Sequence, residues 1–158
     1  FLSVKDADKT RAVDLARQYD KAVLVEQFIQ GREFSVPVLG TGASARALPI
    51  VEIVAPEGNY DYQNKSFNDD TQYHCPCGLP DAEEQRIREL VMKSARALGC
   101  AGWGRADLIR RADGSVQFLE MNTSPGMTGH SLVPMAAKQA GLSFNDLVLR
   151  ILELAHVG

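Results

Sequence analysis

The sequence lacks the features of membrane-spanning and disulfide-stabilised proteins. No apolar run approaches the roughly 18 residues that a bilayer-crossing helix needs. The three cysteines, Cys75, Cys77 and Cys100, are too few and too unevenly spaced for a disulfide framework. We therefore interpret them as structural thiols. Because such cysteine usage fits a reducing compartment, we expect a cytoplasmic protein with no membrane partner.

The sequence also lacks an excess of basic charge. Lys and Arg number 17 against 20 Asp and Glu, and the formal net charge is −3. A chain with this balance does not attract phosphate backbones by bulk electrostatics, so we expect no nucleic-acid partner. The 158 residues, of which 45% are hydrophobic, are enough to bury one sizeable core.

The hydrophobic patterns predict an α+β fold, with a mainly antiparallel sheet and helices packed on one side. Pro49 indicates an edge position or a bulge in the third predicted strand. The predicted strands are Ala22–Ile29, Arg32–Leu39, Ala47–Val54, Gly102–Arg110 and Val116–Asn122. The predicted helices are Asp6–Tyr19, one that starts at Asp81 and is ended by Gly99, Leu132–Ala140 and a last helix from Ser143 to near His156.

Three predicted helices carry start signals. Asp81 with Glu84 resembles a capping box, and Ser143 with Asp146 has the same spacing. Ser131 is a candidate cap for the helix that follows it.

The pair Asp113-Gly114 predicts a β-hairpin with a two-residue type I′ turn, because that turn needs positive φ at both central residues. Side chains alternate across a strand, so four polar groups of this hairpin should emerge on one face. The predicted pairs are Ala112 with Ser115, Ile109 with Phe118, Asp107 with Glu120, and Arg105 with Asn122.

The polar face of the hairpin predicts phosphoryl chemistry. Asp107 and Glu120 would repel each other across the strands, and a divalent cation would remove that repulsion. Together with Asn122 they offer hard oxygen ligands, which favours Mg²⁺ or Mn²⁺ over zinc. Arg105 suits a phosphate, and the glycine-rich residues 123–129 allow backbone N–H groups to approach an anion. The alternative, a hairpin of merely solvated charges, explains this clustering less well.

Two further stretches can be interpreted as functional sites or as ordinary structural segments. Residues 56–80 are long, polar and typical of an active-site lid that carries Lys65, although a solvated lysine on a flexible insertion is the simpler alternative. The run His74–Cys77 lacks the distant second pair of ligands that a zinc site requires.

Five runs resemble the C-terminal part of the D-alanine–D-alanine ligase family. They are Val25–Glu33, Tyr60–Lys65, Asp70–Pro76, Gly102–Asp107 and Leu119–Pro134, and they occur in the family's order over nearly the whole chain. The resemblance implies an ATP-grasp fold, in which ATP lies between two α+β subdomains. It implies that residues 1–158 are the C-terminal domain, and that the N-terminal and central domains are absent from this chain.

The resemblance divides the chain into five parts. They are an entering helix (1–21), adenine- and ribose-binding strands (22–55), an ω-loop region (56–80), a helix with the metal-binding hairpin (81–131), and C-terminal helices (132–158).

The resemblance also implies roles for the hairpin and the loop after it. Asp107, Glu120 and Asn122 match the ligands of two magnesium ions, with manganese as a possible substitute. Arg105 matches the arginine that steadies the transferred phosphoryl group. The N–H group of Gly126 matches an oxyanion-hole donor.

Further matches concern the substrates. Ser131 and the N–H group of Leu132 match the groups that bind the carboxylate of the second D-alanine, and Glu33 matches the ribose-binding carboxylate. Lys65 matches the ω-loop lysine that reaches phosphate and substrate carboxylate. The adenine-binding edge corresponds to Glu26, Gln27, Phe28 and Ile29.

The implied function is ATP-dependent ligation of two D-alanine molecules through an acyl phosphate, for peptidoglycan synthesis, in a full-length homodimer. Ser66 replaces a tyrosine that is common in the family, which leaves D-lactate or D-serine open as the second substrate. A further alternative is an ATP-grasp fragment without turnover. We expect the isolated chain to be inactive, because half of the ATP cleft is absent.

Overall fold

A computed structural model gives the structure of the chain and describes residues 9–55 and 71–155. The chain divides into two compact units. The smaller unit comprises Phe1–Gln30 and Ala55–Thr71, and the larger comprises Gly31–Val54 and Gln72–Gly158.

The described part of the smaller unit contains helix α1, Lys9–Ala16, which is followed by a turn. The predicted start of this helix at Asp6 lies outside the described residues. The predicted strand Ala22–Ile29 is wrong, because no described residue of this stretch takes part in a β ladder. Its side chains include Leu24 and Val25, which are 78% and 69% exposed. A strand-forming composition produces a strand only where a pleated neighbour is present to pack against it.

The larger unit is built on a six-stranded antiparallel sheet. The spatial order is β4-β3-β1-β5-β6, and β2 pairs with one end of β1. The strands are β1 (Arg32–Leu39), β2 (Arg46–Ala47), β3 (Val51–Val54), β4 (Gln72–His74), β5 (Trp103–Arg110) and β6 (Val116–Asn122). The prediction of β1, β5 and β6 is therefore confirmed to within one residue at each end.

The predicted third strand is interrupted around Pro49, which separates β2 from β3. Both pieces pair with β1, and the register shifts by one residue between Val38 opposite Ala47 and Ser35 opposite Val51, which supports the bulge interpretation. The edge interpretation is wrong for β3, because it lies between β1 and β4. Strand β4 lies in a stretch that we expected to be loop, and all three of its side chains are exposed. A short strand without alternating burial leaves no hydrophobic pattern in the sequence.

Three α-helices and a short 3-10 helix (Gly42–Ser44) complete the larger unit within the described residues. The α-helices are α2 (Asp81–Ala97), α3 (Leu132–Gln139) and α4 (Phe144–Leu154). Helix α4 begins with the predicted capping box, in which the Ser143 hydroxyl accepts from the N–H group of Asp146 at 3.1 Å. Its predicted end near His156 lies outside the described residues. No helix in residues 9–55 and 71–155 is both long and apolar enough to cross a bilayer.

The two ends of α2 differ in how well they were predicted. Its C-terminus has the expected glycine, Gly99, at φ +65°, and the N–H group of Cys100 donates to the carbonyl of Ala95 at 2.9 Å. The capping box at its N-terminus is wrong. Pro80 is the N-cap and Asp81 is the first helical residue, so no capping side chain is present and the Pro80 carbonyl accepts from the backbone instead.

The sheet has a hydrophobic core on each face. Strand β1 is buried from Phe34 to Leu39, which is typical of a central strand covered on both sides. One core joins β1 and β5 to α2, and the other joins the opposite face to α3 and α4. The α+β class and the antiparallel sheet are confirmed. The expected placement of all helices on one side needs correction in this detail, because α2 covers the face opposite to α3.

Candidate functional site

The hairpin β5-β6 closes differently from the prediction. Its loop has three residues, 112–114, and the N–H group of Arg111 donates to the carbonyl of Ser115 at 2.9 Å. The Asp113 carboxylate accepts from the N–H group and the hydroxyl of Ser115, and Gly114 has φ +83°. This is the loop in which a turn is followed by a left-handed glycine, so the predicted two-residue type I′ turn is wrong.

A β-bulge then restores the predicted pairing at the site. Near the loop, Ile109 lies opposite Gln117 rather than Phe118. The register shifts between Asp107 and Leu108, where β6 contains one additional residue, Leu119. The predicted partnerships of Asp107 with Glu120 and of Arg105 with Asn122 are confirmed.

Asp107 is the centre of a hydrogen-bonded cluster, and it is only 7% exposed. Its Oδ1 accepts from the Ser35 hydroxyl at 2.8 Å and from Arg105 Nε at 3.0 Å. Its Oδ2 accepts from Arg105 Nη2 at 2.7 Å and from Asn122 Nδ2 at 2.9 Å. Arg105 therefore holds Asp107 in a two-pronged ion pair on the same strand.

The expected repulsion between Asp107 and Glu120 is offset within the protein. Arg105 supplies a positive charge beside Asp107. The Asn122 amide nitrogen lies between the two carboxylates, 2.9 Å from Asp107 and 3.4 Å from Glu120. The three predicted metal ligands thus lie together, and Arg105 already forms an ion pair with one of them, Asp107.

The donor set of this cluster fits a divalent cation. Asp107 and Glu120 supply carboxylate oxygens, and a half-turn of the Asn122 amide would present its oxygen in place of its nitrogen. Across the described ranges, no group of three or more His, Cys, Asp and Glu side chains could hold a metal. The candidate set has only two such residues and depends on the asparagine for its third ligand.

Glu33 lies on the same face of the sheet as the cluster. It precedes Ser35 by two positions in β1, and side chains two apart in a strand share a face. Its partner across the ladder to β5 is Ile109, whereas Ser35 pairs with Asp107. The predicted ribose-binding carboxylate and the predicted metal ligands therefore belong to one surface.

Gly126 and Ser131 are neighbours in the loop that precedes α3. A Cβ atom added to Gly126 would lie 3.2 Å from the Ser131 hydroxyl oxygen. That oxygen accepts from the N–H group of Thr128 at 3.0 Å and lies 2.9 Å from the Thr128 hydroxyl. Ser131 is the N-cap by position, but its side chain makes no capping hydrogen bond. The serine hydroxyl is directed towards the glycine-rich loop instead of the helix.

Leu132 is the first residue of α3. The first N–H groups of a helix have no partner within it, so they are donors for an anion. Pro134 has no N–H group, which confines these donors to the very start of the helix. The structure therefore brings Gly126, Ser131 and the N–H group of Leu132 together at one end of α3.

The other predicted binding residues belong to a different part of the chain. Lys65 and Ser66 lie outside the described residues. Glu26, Gln27 and Phe28 belong to the smaller unit and are exposed, as is most of the stretch that ends at Ile29.

The cysteines behave as structural thiols. All three are free, and Cys77 is buried. Burial, with smaller effects from Cys77 and Glu84, raises the pKa of Cys75 to about 11. Burial also raises the pKa of Cys77 and of Cys100. Because the thiolate is the nucleophile and the metal ligand, thiols with raised pKa values suit neither role at neutral pH.

Ser35 is a site residue that sequence reasoning missed. It lies in β1, its side chain is fully buried, and its hydroxyl donates to Asp107. The available signal was a single hydroxyl within an otherwise apolar run from Phe34 to Leu39.

The family described as "D-ala D-ala ligase C-terminus" matches residues 3–153 of the chain. A D-alanine--D-alanine ligase from Azoarcus sp. (strain BH72) is 58% identical over 156 residues, which are 98% of this chain and 50% of the relative. One from Paracidovorax citrulli (strain AAC00-1) is 62% identical over 143 residues, 90% of this chain and 43% of the relative. The chain thus spans about half the length of the curated relatives it matches.

Two solved structures share the fold. The VanG D-Ala:D-Ser ligase from Enterococcus faecalis superposes with a TM-score of 0.83 at 32% identity, over 96% of this chain and 44% of that one. The D-alanine-D-alanine ligase from Coxiella burnetii gives a TM-score of 0.81 at 26% identity, over 98% of this chain and 40% of that one.

Proposed function

The chain belongs to the family of D-alanine–D-alanine ligase C-terminal domains, and from this premise we propose that the complete protein joins two D-alanine molecules at the expense of ATP. The observation that carries the proposal is the convergence of Arg105, Asp107 and Asn122 within hydrogen-bond distance on one sheet face. A carboxylate–amine ligase needs such a cluster, because its first step moves a highly charged phosphoryl group.

Asp107, Glu120 and Asn122 are proposed to hold two Mg²⁺ ions, for which Mn²⁺ can substitute. When bound, these ions neutralise the negative charge that spreads over the phosphate oxygens of ATP. Two carboxylates and an amide oxygen are ligands suited to this hard cation.

Arg105 is proposed to exchange its partner during the reaction. Its guanidinium pairs with both oxygens of Asp107, at 3.0 and 2.7 Å. The same planar fork matches two oxygens of a transferred phosphoryl group. Arg105 would then stabilise the acyl phosphate that forms when the carboxylate of the first D-alanine attacks the γ-phosphate of ATP.

The loop before α3 is proposed to bind the second D-alanine. The Ser131 hydroxyl and the N–H group of Leu132 hold its carboxylate at the start of the helix, where unpaired donors favour an anion. Its amine attacks the acyl carbon, and the N–H group of Gly126 donates to the oxyanion that develops there. The amine loses a proton, the bond between the acyl carbon and the phosphate oxygen breaks, and inorganic phosphate leaves. The position of Ser131, whose hydroxyl oxygen would lie 3.2 Å from a Cβ atom added to Gly126, supports a shared role at one substrate.

The remaining assignments depend on the family resemblance. Glu26 accepts from the exocyclic amine of adenine, and the backbone of residues 27–29 pairs with the ring. Glu33 binds the ribose, and Lys65 reaches the phosphates and the substrate carboxylate as the ω-loop closes. We further propose that the complete protein is a cytoplasmic homodimer that supplies the dipeptide for peptidoglycan synthesis.

The proposal is tested by measuring phosphate release from ATP by the complete protein, with Mg²⁺ and with or without D-alanine. We expect release that requires D-alanine and yields the dipeptide. Glu120→Gln should abolish most of this activity. The matched control is Glu153→Gln, because Glu153 is a largely exposed residue of α4 that pairs with Arg150 away from the hairpin. Release without D-alanine, or full activity of Glu120→Gln, would refute the proposal.

The alternative function is ligation of D-alanine to D-serine or D-lactate instead of to a second D-alanine. The fold similarity to a D-Ala:D-Ser ligase and the serine at position 66 both favour testing it. D-alanine, D-serine and D-lactate should be compared side by side as acceptors. A preference for D-serine or D-lactate would replace the D-alanine assignment.

The third possibility, a module without turnover, concerns the 158-residue chain alone. Calorimetric titration of this chain with ATP and Mg²⁺ should show weak binding or none. Tight binding at a stoichiometry of one would contradict that expectation.

A further inference from the structure

Ser35 and Asp107 are the polar side chains that are buried within the described residues, and they are bonded to each other. Ser35 lies near the middle of β1, and it is the direct partner of Asp107 across the ladder to β5. Its hydroxyl donates to Asp107 Oδ1 at 2.8 Å. The two residues are 72 positions apart in the sequence, so only the strand pairing brings them together.

A serine at this position requires an explanation. Its neighbours Phe34 and Val36 are fully buried, and a central strand position favours an apolar β-branched side chain. Burying a hydroxyl without a partner is unfavourable by a few kcal/mol, which makes the hydrogen bond to Asp107 the compensating interaction. We therefore attribute the serine at this position to its hydrogen bond with the Asp107 carboxylate and not to the packing of the core.

Ser35 differs from the other hydrogen-bond donors to Asp107 because its side chain is inaccessible to solvent. The Arg105 side chain is 22% exposed, and Asn122 is half-buried. Both can exchange Asp107 for a ligand or for water. Ser35 is inaccessible and held by the strand register, so its contact persists when the exposed partners change.

The Ser35 contact also sets the rotation of the carboxylate. Ser35 binds Oδ1, whereas Oδ2 accepts from the Asn122 amide, which also lies near Glu120. With Oδ1 fixed, Oδ2 is directed towards the point where the three predicted ligands converge.

We propose that Ser35 is a positioning residue that holds the Asp107 carboxylate with Oδ2 facing the metal. The proposal rests on the proposed function, because it assumes that Asp107 is a metal ligand. Partners that orient ligands in this way typically change metal affinity by about 10- to 100-fold when they are removed. Loss of the Ser35 hydroxyl should therefore weaken metal binding without removing any ligand.

The test compares Ser35→Ala and Ser35→Thr in the complete protein. Binding of Mn²⁺ in the presence of ADP is measured by electron paramagnetic resonance. We expect Ser35→Ala to weaken Mn²⁺ binding by about 10- to 100-fold. Ser35→Thr keeps the hydroxyl and should remain close to the wild type. In steady-state assays, Ser35→Ala should need more metal for half-maximal activity and should recover most of its kcat at saturating Mn²⁺.

The matched control is Val36→Ala. Val36 is the next residue of β1, fully buried on the opposite face, in the core that includes α2. This variant should lower the melting temperature and leave Mn²⁺ affinity unchanged. Wild-type affinity in Ser35→Ala, or an equal loss in Val36→Ala, would overturn the role of Ser35.

Failure of the underlying function has a different signature. If the wild type makes the dipeptide and binds Mn²⁺ but Ser35→Ala is unaffected, only the role of Ser35 is refuted. If the wild type binds no Mn²⁺ in the presence of ADP, the metal site is refuted, and the role of Ser35 with it.

Discussion

Replacing Arg105 by methionine tests whether the hairpin is organised around a cation. The substitution keeps much of the length of the side chain and removes its charge. It deletes both hydrogen bonds to Asp107 and leaves that carboxylate with Ser35 and Asn122 as donors. The variant therefore contains an acidic pair, Asp107 opposite Glu120, without its internal positive charge.

The expected loss of stability follows from the exposure of the ion pair. Breaking a fully buried pair costs about 3–5 kcal/mol, and breaking an exposed pair costs about 0–1 kcal/mol. The side chains of Arg105 and Asp107 are 22% and 10% exposed, which lies between these limits. We expect a decrease of about 2 kcal/mol in the free energy of unfolding. For a chain of 158 residues, that lowers Tm by roughly 4–8 °C.

A divalent cation should reverse part of this loss. In the wild type, a Mg²⁺ ion that binds Asp107 would have to displace Arg105, whereas in Arg105→Met it would meet no competing charge from that side chain. Thermal denaturation followed by circular dichroism, in EDTA and in Mg²⁺ at matched ionic strength, should show a larger Mg²⁺-induced rise in Tm for the variant.

Arg32→Met is the control for the loss of an ion pair elsewhere. Arg32 makes a two-pronged pair with Glu52, at 2.6 and 2.9 Å, and its guanidinium lies 5.1 Å from the centre of the Phe34 ring. This variant should lose stability without gaining any dependence on Mg²⁺. An equal Mg²⁺ effect in the two variants, or none in Arg105→Met, would refute the electrostatic reasoning.

Two further predictions concern the loop before α3 and the cysteines. Gly126→Ala should raise the KM for the second D-alanine, because its Cβ would press on the Ser131 hydroxyl, whereas Gly129→Ala, with open space around it, should not; steady-state kinetics of both variants decide this. Because the pKa of Cys75 is raised from 9.0 to about 11, its contribution to stability is complete below about pH 9 and is lost as the pH rises through about 11. Urea unfolding at several pH values should therefore show a steeper alkaline loss for the wild type than for Cys75→Ser, and identical slopes would contradict the burial argument.

The helix and strand signals that were read correctly are local. Gly99 ends α2 because a left-handed residue is required there, and Ser143 with Asp146 forms a capping box from residues three apart. The failed box at Asp81 shows the limit of such signals, because the helix begins at Asp81 as expected but Pro80 takes the N-cap position. Local chemistry identifies a helix more reliably than it identifies the residue that caps it.

In the hairpin, the pairing of Asp107 with Glu120 was predicted correctly, but the turn from which it was derived was wrong. The Asp113-Gly114 pair indicated a two-residue turn, and the real loop has three residues. The bulge at Leu119 compensates for that difference, so Asp107 still faces Glu120. The bulge places the polar side chains of both strands on the same face. It could not be predicted from the hydrophobic pattern of the sequence.

The sequence alone determined the polar face of the hairpin and the resemblance to the family, because these depend on residues that are close together in the chain. The tertiary structure decided the rest. It paired Ser35 with Asp107 across 72 residues and divided the helices between the two faces of the sheet. It also left 22–29 without a strand partner among the described residues. These features depend on which surfaces meet after folding, and no local pattern of residues contains that information.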